Sequence, residues 1–212
     1  MANKVIIIKE NSEQIFNPDK IAGLDLVISG DNNVIVIHEP YTFVNSRIFL
    51  TGDIEITIEP GIVAGGGFLI KKSRNIVPNK LVIGKHFQCG SGCTIDLTDA
   101  GDVFIGDDAK WSWNIYVKSD DTHPVFDVDT KQCVNKSTSV VIGRHVWIGM
   151  NATILKNSEI KPESVVGACS VVAKKFDEGN VVVAGNPARI CKRNINWAHG
   201  AIEHYIQRLK ND

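Results

Sequence analysis

Residues 140–176 read VVIGRHVWIGMNATILKNSEIKPESVVGACSVVAKKF, with an aliphatic side chain at every sixth position: Ile142, Ile148, Ile154, Ile160, Val166 and Val172. Four residues after the first five of these stand Val146, Ala152, Ser158, Ser164 and Ser170, each small or β-branched, and only Phe176 breaks the rule. A period of six is neither the 3.6 of a helix nor the alternation of a simple strand. It predicts a β-solenoid in which positions i and i+4 face inward and the residues between them turn a corner. Each hexad then supplies one short strand, and successive coils stack about 4.8 Å apart through backbone hydrogen bonds. Gly143, Gly149 and Gly167 directly follow an inward aliphatic, and the expectation is that they supply a positive φ at the corners.

The repeat recurs upstream. Ile83, Cys89 and Ile95 share one phase, with Gly84 and Gly90 next to the inward position; Ile105, Trp111 and Val117 share another, with Gly106 and Ala109 placed as expected. The change of phase between Ile95 and Ile105 marks a small insertion, and a longer one follows Val117. Before residue 80 the pattern loosens, yet DLVISGDNNVIVI (25–37) and RIFLTGDIEITIEPG (47–61) still read as strands separated by Gly, Asp and Asn turns. GGGF at 65–68 has neither a following Lys-Ser/Thr nor a helix pattern and reads as a turn, not a phosphate loop. After Asn186-Pro187-Ala188-Arg189 the period stops. Trp197, Ile202, Tyr205, Ile206 and Leu209 then recur at helical spacing, predicting a short C-terminal helix that packs on the solenoid end or a neighbour and caps the last open edge. The expected organisation is all-β: irregular N-terminal coils over 1–80, a hexapeptide-repeat β-helix over 81–190 with an inserted loop at 118–140, and a helical tail over 191–212.

Composition limits the partners. The 212 residues carry a formal net charge of -1 and no basic stretch longer than a Lys-Lys pair, which argues against nucleic acid or an anionic membrane. Val5–Ile8 is too short for a signal-peptide core and is closed by Lys9 and Glu10, and no run approaches the length of a membrane span. Five cysteines without metal-ligand spacing point to a reduced, cytoplasmic protein.

With VWIGMNATILKNSEIKPESVVGACSVV followed by VVVAGNPARICK, residues 80–195 resemble the hexapeptide-repeat acyltransferases, a family with a left-handed parallel β-helix. The pairing of SDDTHPVFDVDT with Asn194-Ile195-Asn196-Trp197 is most similar to bacterial O-acetyltransferases of capsule and lipopolysaccharide biosynthesis, polysialic acid O-acetyltransferases among them. The resemblance implies acetyl-CoA as donor, a carbohydrate acceptor, a homotrimer, and active sites between neighbouring prisms. A solenoid filled by its own side chains has no internal pocket, so binding at the clefts of a closed threefold ring makes physical sense.

The insertion KSDDTHPVFDVDTKQCVNKSTSV interrupts an otherwise strict scaffold, and its aromatic and β-branched residues predict order. Transfer of acetyl from a thioester to an alcohol needs a group that takes the hydroxyl proton, a role suited to imidazole. The resemblance at Thr122-His123-Pro124 assigns that role to His123. Asp120, Asp121 and Asp127 flank it, and Asp127 is the expected orienting carboxylate, though the sequence leaves all three open. His86 and His145 fall at outward corners and read as surface residues.

Trp147 precedes the inward Ile148, so alternation turns it outward, where a large aromatic needs a partner. A trimer contact would satisfy it; the resemblance instead places it in the active site with His123, its indole N–H or a backbone N–H holding the oxyanion. By family position, acetyl-CoA lies along small residues at Gly149 and Ala168, with Lys174 or Lys175 near the pyrophosphate and Arg189 near the nucleotide. No nucleophile is required, and nothing in the sequence activates Cys133. No metal is expected: the rival metal-dependent hydratase needs paired histidines in the helix body, whereas His199 and His204 lie in the tail. Two further functions are compatible with a solenoid of this kind: a non-enzymatic scaffold, and an acetyltransferase for a small acceptor such as an antibiotic, a nucleotide-linked amino sugar or maltose.

Overall fold

A computed structural model describes residues 2–210. Its strands form three parallel sheets, the faces of a left-handed β-helix, which the chain visits in a fixed order. One coil shows that order: Asn79–Ile83 on the first face, Gln88–Cys89 on the second, Thr94–Asp96 on the third, then Asp102–Ile105 back on the first. The third face holds seven strands, so the same architecture extends unbroken through the region before residue 80. There the strands are longer: Ile54–Ile58 pairs along its whole length with Asn79–Ile83. In the strict hexads the coil shrinks to its minimum, and Val141 pairs with Glu159, three hexads later.

The inward positions are as the period demands. Ile142, Ile148, Ile154, Ile160, Val166 and Val172 are buried, as are Val146, Ala152, Ser158, Ser164 and Ser170 at i+4. Serine is tolerated inside because its hydroxyl finds backbone: Ser158 donates to the Val172 carbonyl at 3.0 Å, and Ser170 accepts from the Gly185 N–H at 3.1 Å. Phe176, the exception to the pattern, is buried too.

The corner glycines require a correction. Gly143, Gly149 and Gly167 do not adopt a positive φ; the left-handed residues are His145, Asn151, Asn157, Glu163 and Cys169, six apart with φ between 51° and 60°. Glycine is needed for closeness instead. A Cβ on Gly149 would lie 2.6 Å from the Ala168 nitrogen, and one on Gly143 would lie 2.6 Å from the Pro162 nitrogen. The coils approach backbone to backbone, and a side chain has no room.

The solenoid ends also differ from expectation. At the N-terminus, Gln14–Phe16 folds back antiparallel on Lys4–Ile8. At the C-terminus, Ala188–Arg193 folds back antiparallel on Val181–Gly185 and covers the last edge of the second face. The helix, Ile202–Leu209, caps nothing: none of its residues is buried, and Ile202, Tyr205, Ile206 and Leu209 are exposed. An antiparallel return satisfies edge N–H and C=O groups with backbone, which a helix cannot do. None of the described helices is long and apolar enough to cross a membrane.

Candidate active site

The insertion leaves the third face after Tyr116–Lys118 and returns to the first face at Ser139–Ile142, so it projects from the corner between those faces. Its root is buried and ionic. The Asp120 carboxylate, 3% exposed, accepts from the Asp99 N–H at 2.9 Å and lies 3.4 Å from the Lys118 ammonium. Lys118 and Lys71 also flank Asp96, which accepts from the Tyr116 hydroxyl at 2.7 Å. Burial pushes the Asp96 carboxyl upward, but bonds from Thr98, Tyr116 and Lys71 outweigh it and hold the group below the usual carboxylate range.

Asn135 closes the insertion on itself. Its side-chain N–H donates to the His123 carbonyl at 2.9 Å and to Asp121 at 2.8 Å, while its oxygen accepts from the Val125 N–H at 2.7 Å. Lys156, on the solenoid body, pairs with Asp121 at 2.7 Å and donates to the Asn135 carbonyl. Arg74 donates to the Thr122 carbonyl at 3.1 Å. The segment is therefore ordered, and its tip is a small hairpin bridged at Phe126 and Cys133.

His123 is exposed, its backbone fixed on both sides and its imidazole without a hydrogen-bond partner among the described residues. The expected orienting role of Asp127 is not met within the chain. One of its carboxylate oxygens accepts from the N–H groups of Asp129 and Thr130, at 3.0 and 2.7 Å, and from the Thr130 hydroxyl. Those bonds depress its pKa and commit it to shaping the hairpin turn. Asp120 and Asp121 are likewise engaged with the root and with Lys156.

Trp147 opens the strand Trp147–Ile148 on the second face, and its indole is 40% exposed, as the alternation predicts. The indole N–H donates to the Ser112 hydroxyl at 3.3 Å. Trp113, more exposed still, lines a shallow cavity of about 260 Å³ with Gln88, Gly90, Lys110 and Ser112. No hydrogen bond or ring contact joins Trp147 to His123. They belong to different places in one prism: Trp147 to the second face, His123 to the corner between the third and first.

Gly149 and Ala168 are stacked neighbours at the corner between the second and third faces, so close that a Cβ on Gly149 would meet the Ala168 backbone. Lys174 and Lys175 are exposed at the next corner, where Lys174 lies 5.1 Å over the Phe176 ring. Arg189 is exposed on the returning C-terminal strand. One chain thus spreads the five expected donor-binding residues over two corners and an end.

The sequence reading missed a second cluster, and its view of His145 as a surface residue is corrected. The His145 side chain is 14% exposed and stacks on Trp197 with centroids 4.1 Å apart and planes 9° from parallel. Its two ring nitrogens face Asp108 at 2.5 Å and the Trp197 carbonyl at 3.0 Å. Burial pulls the imidazole pKa down, but the bonds to the Trp197 carbonyl and Asp108, with the Glu163 charge, raise it above its ordinary value. His199 contacts the other Asp108 oxygen at 3.2 Å. Asp108, His145 and His199 come within the 4.8 Å that a metal site would need. The Lys110 ammonium sits 3.4 Å from the other ring nitrogen of His199. The sequence signal was faint: Trp197 lies 52 residues from His145, and only the fold-back of the tail unites them.

The model for bacterial transferase hexapeptide, six repeats, matches residues 139–174. A polysialic acid O-acetyltransferase of Neisseria meningitidis is 33% identical over 182 residues, covering 81% of this chain and 78% of that one. The chain belongs to the bacterial hexapeptide-repeat transferase family. A polysialic acid O-acetyltransferase of Escherichia coli O1:K1 is 33% identical over 120 residues, 57% of this chain, which spans only 38% of that relative. Among solved structures, the polysialic acid O-acetyltransferase OatWY superposes with a TM-score of 0.57 at 26% identity, over 88% of this chain and 90% of the other.

Proposed function

We propose that this chain transfers an acetyl group from acetyl-CoA to a sugar hydroxyl of a bacterial surface polysaccharide, with sialic acid polymers as the first acceptor class. His123 takes the proton as the hydroxyl oxygen attacks the thioester carbonyl. Collapse of the tetrahedral intermediate breaks the C–S bond, and the proton passes from the imidazolium to the departing sulfur. The Trp147 indole N–H, whose 3.3 Å bond to Ser112 is weak enough to be exchanged, or a backbone N–H near it, holds the oxyanion.

The observation that carries this reading is the tethering of His123 in a projecting, ordered loop at one corner while Trp147 is exposed on another face. The hairpin beyond His123 presents Val125, Phe126, Val128 and Val134 outward, an apolar tip left exposed by the described residues of its own chain. In a threefold ring the loop of one copy reaches the second face of the next, which brings His123 to a neighbour's Trp147 and makes the homotrimer the active unit. The Gly149–Ala168 corner fits the pantetheine arm because it carries no bulk beyond the backbone. Lys174 or Lys175 and Arg189, spread over other corners of one chain, serve the pyrophosphate and nucleotide ends across such a cleft. Use of acetyl-CoA implies a cytoplasmic enzyme.

The test is consumption of acetyl-CoA by the trimeric protein against a glycan panel that includes sialic acid polymers, maltose, galactosides and chloramphenicol. Acetyl ester on a polysaccharide supports the reading. Turnover confined to a small acceptor moves the substrate to that class, and no transfer to any acceptor overturns the enzyme assignment.

A further inference from the structure

Beyond the strand Ala188–Arg193, residues 194–200 run back as a strap along the corner between the first and second faces. Ile195 exchanges backbone and side-chain bonds with Asn180, both at 3.0 Å. Two coils further, the Trp197 indole N–H donates to the His145 carbonyl at 2.8 Å while the His145 ring donates to the Trp197 carbonyl at 3.0 Å. Another coil on, His199 reaches Asp108 and Lys110. The Trp197 ring ends 6.2 Å from that of Trp147 and tilted by 45°.

On the reading that Trp147 belongs to the active site, we propose that Trp197 is its positioning residue, held in place by a charged clip made of His145 and Asp108. Trp147 sits on a two-residue strand with one weak bond to Ser112, so little else restricts its ring. Trp197 is the ring beside it, and without that ring the indole explores rotamers that do not meet the thioester.

The clip is charged by its own bonding pattern. Both ring nitrogens of His145 face atoms that only accept, a carbonyl and a carboxylate, so the imidazolium form satisfies both. The charged groups around it are Asp108, Glu163 with its oxygen 3.8 Å away, Arg144 paired to Glu163, and the His199–Lys110 pair beyond Asp108. The imidazolium also lies face to face with the Trp197 indole, a favourable cation–π arrangement. The His145 pKa is raised in this setting, so the clip is whole below the ordinary histidine value of about 6.5 and is lost as pH rises through the higher folded value.

Two linked measurements on the full-length trimer decide the matter: indole ¹H–¹⁵N spectra across pH, and steady-state kinetics with acetyl-CoA and the best acceptor. The Trp147 and Trp197 indole signals are expected to titrate together, with a midpoint above about 6.5. Asp108→Asn keeps a residue suited to the φ of 57° at that corner. It should lower the midpoint, and the alkaline limb of kcat should move with it. Trp197→Ala should shift the Trp147 signal and lower kcat roughly ten- to a hundredfold at a KM for acetyl-CoA within about twofold, with Trp197→Phe restoring most of the rate. A Trp147 signal that ignores both substitutions, or titrates apart from that of Trp197, overturns the proposal. So does a kcat that stays within about twofold of wild type in Trp197→Ala. If Trp197→Ala fails to fold, Asp108→Asn decides by itself. If the wild type transfers acetyl to nothing, the function fails, and the spectra still decide whether Trp197 holds Trp147.

Discussion

The strict hexads of 142–172 and the insertion of 119–138 are built on opposite terms. The hexads are held by volume: inward aliphatics, serines satisfied by backbone, and glycines with no room for a Cβ. The insertion has an ionic root and little core, its tip apolar yet exposed, and it is fixed by Asn135, Lys156, Arg74 and Asp120. The difference teaches that stability and chemistry are separable here. Packing mutations in the body should cost folding, and loop mutations should cost rate.

The sharpest division is expected at His123. His123→Ala should lower kcat by about 10²–10⁴ with the melting temperature unchanged, since the exposed ring makes no hydrogen bond to the described residues; retention of near-native turnover would remove it from the chemistry. In the body, Ile154→Ala deletes a fully buried side chain and should destabilise by about 2–5 kcal/mol in denaturant titration while per-molecule activity survives. The comparison breaks if activity falls faster than the folded fraction. Asn135→Ala removes the bonds that set the His123 backbone and should lower kcat roughly tenfold with little thermal change; a large melting shift would instead make the insertion part of the core.

Acid should loosen the loop before the body. Burial raises the Asp121 carboxyl, but bonds from Lys156 and Asn135 outweigh it and depress the folded value. The tether is therefore complete above the ordinary aspartate value of about 3.9 and is lost as pH falls through the lower one. Amide exchange in 121–135 should rise across that window while 142–172 stays protected. The smallest effect belongs to Asp127→Asn, which keeps a turn-forming side chain and should leave kcat within about twofold. A hundredfold loss would restore it as the partner of His123.

Much of this was legible in the residues because a period of six is a local rule repeated many times. Ile142 to Val172, Cys89 and Trp111 could each be placed inward without knowing any long-range contact. The outward turn of Trp147 was legible by the same parity, and the candidacy of His123 rests on its motif. The glycines misled because a short residue at a corner has two possible uses, and only the 2.6 Å approach of the next coil distinguishes closeness from positive φ. For Asp127, nearness in sequence to His123 says nothing about which atoms its carboxylate meets, and one of its oxygens turns to Asp129 and Thr130.

By itself, then, the sequence determined the solenoid, its inward series, the site of its interruption and the identity of the exposed His and Trp, all set by local periodicity and side-chain type. Tertiary structure alone decided that His123 and Trp147 lie at different places on one prism. It also decided that Trp197 and His199 return to His145 and Asp108, and that the chain end is covered by a strand and not by a helix. Those outcomes depend on how far the backbone turns at each corner and where a free segment comes to rest. Both are sums over many residues that no single motif encodes.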